Sequence, residues 1–208
     1  MRFWEIFRKQ PPFRKPNELA DFIDAQAAFL VQKGIYEYSR ARAGHYSKVL
    51  FGEPGFQHAV EQSRWRAFPL GLAMVAEIVE GVLRPHAGDD RRALTDALGA
   101  LTLSIFDRYP FPEQLGKAEW LEARRKLAHR LDLIGIHAVK FAKDVPETFA
   151  QEYFGLMPIH EKLRGHDHDA IRNYLRVTAC NIHAQFEQRA DIGALAGALR
   201  APAQNEAH

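Results

Sequence analysis

Residues 160–169 read HEKLRGHDHD, which packs three histidines and three carboxylates into ten positions. Imidazoles and carboxylates are the ligand types that zinc and the harder divalent cations use. A helical metal site needs its ligands on one face, at i, i+3 or i, i+4. No two of the ten histidines stand at that spacing, so there is no His-x-x-x-His pair, and there is no Glu-x-x-His pair. HEKLR begins like the zincin motif but has Arg164 where the second histidine belongs. His166 and His168 suit only a loop site, to which His160 could add a third ligand. The same letters also spell a helix–turn–helix junction. Gly165 would end one helix, Asp167 would cap the next, and Asp169 in its first turn would complement the helix dipole. The junction is the reading taken, and no residue is assigned to a metal.

Nucleophilic chemistry finds little purchase. The four serines, Ser39, Ser47, Ser63 and Ser104, lie in EYSRA, HYSKV, EQSRW and TLSIF. None is the G-x-S-x-G elbow that exposes a hydrolytic serine on a strand-to-helix turn. Cys180 precedes His183 by three residues, so a Cys–His pair on one helical face is conceivable. A lone free cysteine is more often a small apolar core residue, and a buried Cys180 is expected. There is neither a phosphate loop nor a dinucleotide fingerprint, and no cofactor is implied.

Three sets of residues suit binding better than catalysis. Tyr36, Tyr38, Arg40, Arg42, His45 and Tyr46 combine cations with aromatics, as do Arg64, Trp65 and Arg66. Arginine beside aromatic rings is the composition of interface hot spots and anion sites. If the first two long helices pack antiparallel, both groups could reach one end of the pair. Glu77 and Glu80 interrupt an otherwise apolar helix at i, i+3, where they could line a pocket or pair with Arg64, Arg66 or Arg84. The opening MRFWEIFRK sets Trp4 and Phe7 among basic residues, a pattern that suits a partner's groove or a membrane surface.

The elements that must position these residues are helical throughout. Of 208 residues, 47% are apolar and 26% charged, the balance of one soluble domain with a sizeable core. The net charge of +2 gives no reason to expect nucleic acid as a partner. Residues 1–16 hold five basic residues against Glu5 alone, so the excess positive charge sits in this arm. One cysteine excludes an internal disulfide framework and fits a reducing compartment. The first residues contain no long apolar run, so no secretory signal is expected. The most apolar stretch, AFPLGLAMVAEIVEGVL at 67–83, is short of the ~20 uncharged residues of a membrane span and reads as a buried core helix.

Apolar residues recur at three-to-four spacing, and no stretch alternates with period two. Asn17 is expected to cap a helix that runs to Ala43, and a second begins near Phe56. Pro69 is expected to start or kink a further piece ending before Pro85. Helices follow at 91–109 and 117–133, then a short one ending near Lys143, one from Pro146 to Gly155, and a last long one capped by Asp167. The fold class is all-α, a single compact bundle of seven or eight helices. Its parts are a basic aromatic arm at 1–16, a helical domain at 17–190 and a loosely held Ala/Gly-rich tail at 191–208. Pro11, Pro12 and Pro16 make the end of the arm a stiff spacer.

The stretches QAAFLVQKGIYEYSRARAGHY and SRWRAFPLGLAMVAEIVEGVLRP resemble an uncharacterised bacterial all-helical family whose members sometimes carry an esterase label. That resemblance implies a helical fold and, through the label, ester hydrolysis; no site residue comes from it. The residues themselves favour a cytoplasmic adaptor, regulator or assembly factor over an enzyme. It would bind a partner protein, with peripheral contact at the inner membrane through the arm and self-association as further options. The competing classes are a small esterase-like helical hydrolase and a haem- or metal-binding helical protein using a loop histidine.

Overall fold

The structure, a computed structural model, describes residues 11–201. Trp4 and Phe7 of the arm therefore lie outside the described residues. Among the described residues nine α-helices follow one another: α1 (Pro16–Ala43), α2 (Ser47–Leu50), α3 (Pro54–Leu83), α4 (Arg91–Asp107), α5 (Gly116–Leu133), α6 (Ala150–Gly155), α7 (Glu161–Arg164), α8 (His168–Arg189) and α9 (Ile192–Arg200). Short 3₁₀ turns lie at Gly44–Tyr46, Arg84–His86 and Ala142–Thr148. The fold is all-α, as the periodicity requires, and no strand occurs among the described residues. Two of the helices have four residues and one has six, too short to leave a periodic stripe in the sequence.

Helix α3 organises the rest. Every residue from Ala67 to Ala76 is buried, and Ile78, Val79, Glu80 and Leu83 follow them. A helix that is apolar all round has to be covered all round. Helices α1, α4, α5, α8 and α9 all pack on it. No new helix starts at Pro69, and α3 continues through it without interruption. Proline removes only the one N–H that would bond the Trp65 carbonyl, and neighbours on every side hold the helix in place. Helix α3 runs back along α1. Gly71 lies against Ala27, so close that an added Cβ would stand 2.8 Å from Val31 Cγ2 and 3.1 Å from the Ala27 carbonyl.

Several boundaries differ from the sequence reading. Helix α1 starts at Pro16, and Glu18 rather than Asn17 closes its end, accepting from the Arg14 and Lys15 amides at 2.9 Å each. Those two donors hold the Glu18 carboxyl below the usual range. Asp90 does cap α4, accepting from Ala93 N at 2.9 Å. No helix occupies 135–141; the chain turns at Gly135, where φ is +88°, and runs irregularly to Phe141. The end of the arm is no free spacer. Phe13 exchanges backbone hydrogen bonds with Arg189 and Asp191, both 2.9 Å. Its ring sits 5.4 Å from Phe22 and 6.0 Å from Phe186. The first half of the tail, expected as a loosely held helix, is the firmly packed α9, with Leu195 and Ala196 fully buried against α3 and α4; positions 202–208 lie outside the described residues. Asp191 caps it through Ala194 N at 3.1 Å.

Two phenols tie α6 and α8 to α1. Tyr153 donates to the Val31 carbonyl at 3.0 Å and Tyr174 to the Leu30 carbonyl at 2.9 Å. Burial pushes the Tyr153 hydroxyl well above its ordinary pKa and Tyr174 up to about 12, so both stay neutral donors. Gly34 makes room for them: a Cβ there would meet Tyr153 Oη at 2.4 Å and Tyr174 Cε1 at 2.6 Å. Gly34→Ala should therefore cost about 1–3 kcal/mol in urea unfolding. Adding Tyr153→Phe, which removes the nearest atom, should return part of that loss. An unchanged midpoint for Gly34→Ala would contradict the close approach.

Candidate binding groove

Farther along the α1–α3 pair, the small residues of the Gly71–Ala27 crossing give way to large ones and the helices leave a groove. Arg64 of α3 and Gln32 of α1 divide it. On one side is an open trough of about 500 Å³, lined by Phe29, Lys33, Tyr36, Phe51, Val60 and Glu61. On the other is a small recess of about 50 Å³ between Ala28, Val31, Trp65, Phe68 and Tyr109. The trough falls within the roughly 300–1,000 Å³ of ordinary ligand sites, and the recess has room for little more than a branched methyl group.

The walls are aromatic and mutually braced. Tyr36 packs on Phe51 with ring centroids 4.9 Å apart, and Phe51 meets Phe56 edge-on at 5.2 Å. Across the groove Trp65 meets Phe68, Tyr109 and Trp120 edge-on at 6.1, 5.6 and 5.8 Å. Tyr109 donates to the Asp24 carboxylate at 2.8 Å; burial and that bond push its hydroxyl up to about 12. Phe29 and Tyr36 are nonetheless 50% and 48% exposed, so the outer trough presents apolar surface to water.

Arg64 is the polar centre. One of its Nη atoms pairs with Glu61, a turn earlier. Its Nε is buried and has no hydrogen-bond partner. Ser39 Oγ, His168 Nε2 and Arg172 Nε share that state; a buried polar atom left unmet costs about 1–3 kcal/mol.

The other residues chosen from the sequence scatter. Trp65 belongs to the recess, and Tyr36 joins Arg64 at the trough. Arg42 turns the opposite way, pairing with Asp167 at 3.0 Å and donating to the Leu163 carbonyl. Tyr38 donates to the same Asp167 carboxylate at 3.1 Å. Arg66 bridges α3 to α5 through Glu119 at 2.6 Å. Arg40 and His45 are exposed and line no part of the groove. Phe29, Lys33 and Phe51 escaped the sequence reading. Phe29, Lys33 and Tyr36 stand at i, i+4 and i+7, a stripe beside the buried face of α1, and that spacing was the available signal.

HEKLRGHDHD is the junction between α7 and α8. Arg164 donates to the carbonyls of Ile159, Phe154, Gly155 and Met157 at 2.6–3.0 Å, pinning the approach to α7. His160 accepts from Lys162 N at 3.3 Å, and Gly165 turns the chain at φ +55°. Asp167 stands at the expected cap position, but its carboxylate serves Tyr38 and Arg42 instead of its own helix. Among the described residues no three His, Cys, Asp or Glu side chains converge as a metal site.

Cys180 is exposed, contrary to expectation. The buried stripe of α8 runs through Ile171, Leu175, Thr178, Ile182 and Phe186, and residue 180 falls off it. Ser63 and Ser104 donate to carbonyls of their own helices at 2.8 and 2.7 Å, and Ser39 is fully buried. No helix among the described residues is long and apolar enough to cross a membrane. Comparison with family models, curated proteins and solved structures finds no match.

Glu77 and Glu80 do different work. Glu80 is 2% exposed and takes Arg84 in a two-pronged pair at 2.6 and 2.7 Å. Arg84 also donates to the His137 carbonyl at 2.6 Å, fixing the 134–141 segment. Glu77 pairs with Lys140 at 2.7 Å in a more open place. A cavity of about 180 Å³ lies between these pairs, but each carboxylate is already matched. Glu80→Leu should cost about 3–5 kcal/mol, because it strands a buried guanidinium, and Glu80→Leu with Arg84→Met should recover much of it. Glu77→Leu should cost about 1 kcal/mol or less. Chemical unfolding of the three variants checks the order; equal losses for the two single changes would contradict it.

Proposed function

We propose that this protein is a binding-type adaptor, regulator or assembly factor that engages a partner protein through the groove between α1 and α3. The supporting observation is the open trough in which the half-exposed rings of Phe29 and Tyr36 stand beside Arg64. Rigid rings on both sides lose little conformational freedom on binding, and an arginine among them is the composition of a hot spot. The basic arm at residues 1–16 would add a second, salt-sensitive contact. The single thiol, Cys180, is exposed, which suits work in a reducing compartment such as the cytoplasm.

Affinity capture from the producing organism, run in parallel with the wild type, Arg64→Gln, Tyr36→Ala and a control change at His129 on α5, tests this reading. The same partner should be recovered by the wild type and the His129 variant. It should fall about tenfold or more with either groove variant. A partner retained in full by both groove variants would place binding elsewhere.

A further inference from the structure

A second opening lies on another face of α3 and shares no lining residue with the groove. We propose that it binds a medium-chain aliphatic monocarboxylate, with the chain on the apolar floor and the carboxylate at Lys126.

The pocket encloses about 330 Å³ between α3, α5 and the end of α6. Ordinary small-molecule sites span roughly 300–1,000 Å³. Its apolar lining is Pro69, Leu70, Leu115, Ala123, Leu127 and Leu156. Pro69, Leu70 and Leu127 are buried, and the other three are partly so. Among the described residues no aromatic ring and no neutral polar side chain lines it. Nothing there would stack on a ring or hydrogen-bond a sugar. An aliphatic chain asks for apolar contact alone. With a methylene about the size of a water molecule, ~30 Å³, the space holds roughly ten carbons.

The charges decide the head group. Arg66 pairs with Glu119 at 2.6 Å, bridging α3 to α5, and Arg130 pairs with Glu152, bridging α5 to α6. Glu122 is taken by Arg125, which stands outside the lining. Each of the three carboxylates thus has its own arginine. Lys126 is the cation left over: it has no carboxylate partner among the described residues, and it is exposed to an incoming anion. Positions 119, 122, 123, 126, 127 and 130 share one face of α5 by their three-to-four spacing, which sets Lys126 beside Ala123 and Leu127. One free positive charge suits a monoanion. A phosphate dianion would carry its second charge toward three carboxylates, and a cationic head would be repelled by Lys126.

Calorimetric titration of the full-length protein with hexanoate, octanoate, decanoate and tetradecanoate, each below its micellar concentration, tests this. Affinity should rise about fourfold per methylene up to roughly ten carbons and gain little beyond. Decanol should bind about three- to fivefold more weakly than decanoate, and Lys126→Gln should remove that difference. Ala123→Phe, which fills the pocket, should weaken both ligands about tenfold or more, its fold being checked by circular dichroism. Methyl spectra of leucine-labelled wild type locate the ligand whether or not that variant folds. Decanoate should shift Leu115, Leu127 and Leu156 and leave Leu121, exposed on the same helix outside the lining, unmoved. Equal affinity for decanol and decanoate, or a preference that survives Lys126→Gln, would overturn the carboxylate assignment. No saturable binding, or shifts at Leu121 in place of the pocket leucines, would overturn the site itself.

Discussion

Helix α3 carries apolar side chains around its whole circumference, and the fold is built to keep water from all of them. Its ten-residue buried run has no polar face on which to rest against solvent. Every covering helix takes its place from that need: α1, α4, α5, α8 and α9 all lie against it. The need also explains why Pro69 is tolerated. The lost hydrogen bond is small beside the apolar surface that a break would expose. Among the described residues Glu80 is the one charged side chain drawn fully inside, and Arg84 goes with it because an unpaired buried carboxylate would be intolerable. The spare donor of that arginine then anchors the 134–141 segment, so a local electrostatic demand shapes a distant loop.

The groove arises where that covering is incomplete. At Gly71 and Ala27 the backbones of α1 and α3 nearly touch. Toward Arg64 and Gln32 the side chains grow, the helices cannot close, and α2 brings Phe51 to the opening instead of sealing it. Large aromatics with one guanidinium among them remain at the surface. Elsewhere the same residue types are spent on architecture: Arg42 and Tyr38 clasp Asp167, Arg66 clasps Glu119, and Arg164 gathers four carbonyls. What sets the groove apart is that Phe29 and Tyr36 stay about half exposed beside Arg64.

Period and polarity made the long helices legible. The stripes of α4 and α8 fall where the spacing of leucines and isoleucines puts them, and the apolar run at 67–83 is the buried helix it reads as; in α5 the spacing also turns Leu121 inward with Trp120, Leu127 and Leu131, yet Leu121 is exposed. What escaped depends on tertiary context. Pro69 and Asn17 are local signals that packing and Glu18 overrode. The Ala/Gly tail hides its Leu195 and Leu199 contacts among small residues, and Phe13 is pinned by partners at 186–191 that nothing in QPPFRKP announces. The binding residues split for a similar reason. Positions 36, 38, 40 and 42 share a stretch of sequence, but a helix sends them to different faces, so Tyr36 reaches Arg64 while Tyr38 and Arg42 reach Asp167. The type of each residue was readable, whereas its direction required the bundle.

A photo-crosslinking amino acid placed at position 33 in the trough, and in a separate variant at position 129 on exposed α5, tests the groove most directly. Both proteins would be irradiated in the organism that makes them. If the groove is where this protein meets its partner, position 33 should yield a discrete adduct that Arg64→Gln abolishes, and position 129 should yield none. Adducts at position 129 alone, or an adduct at position 33 indifferent to Arg64→Gln, would contradict it.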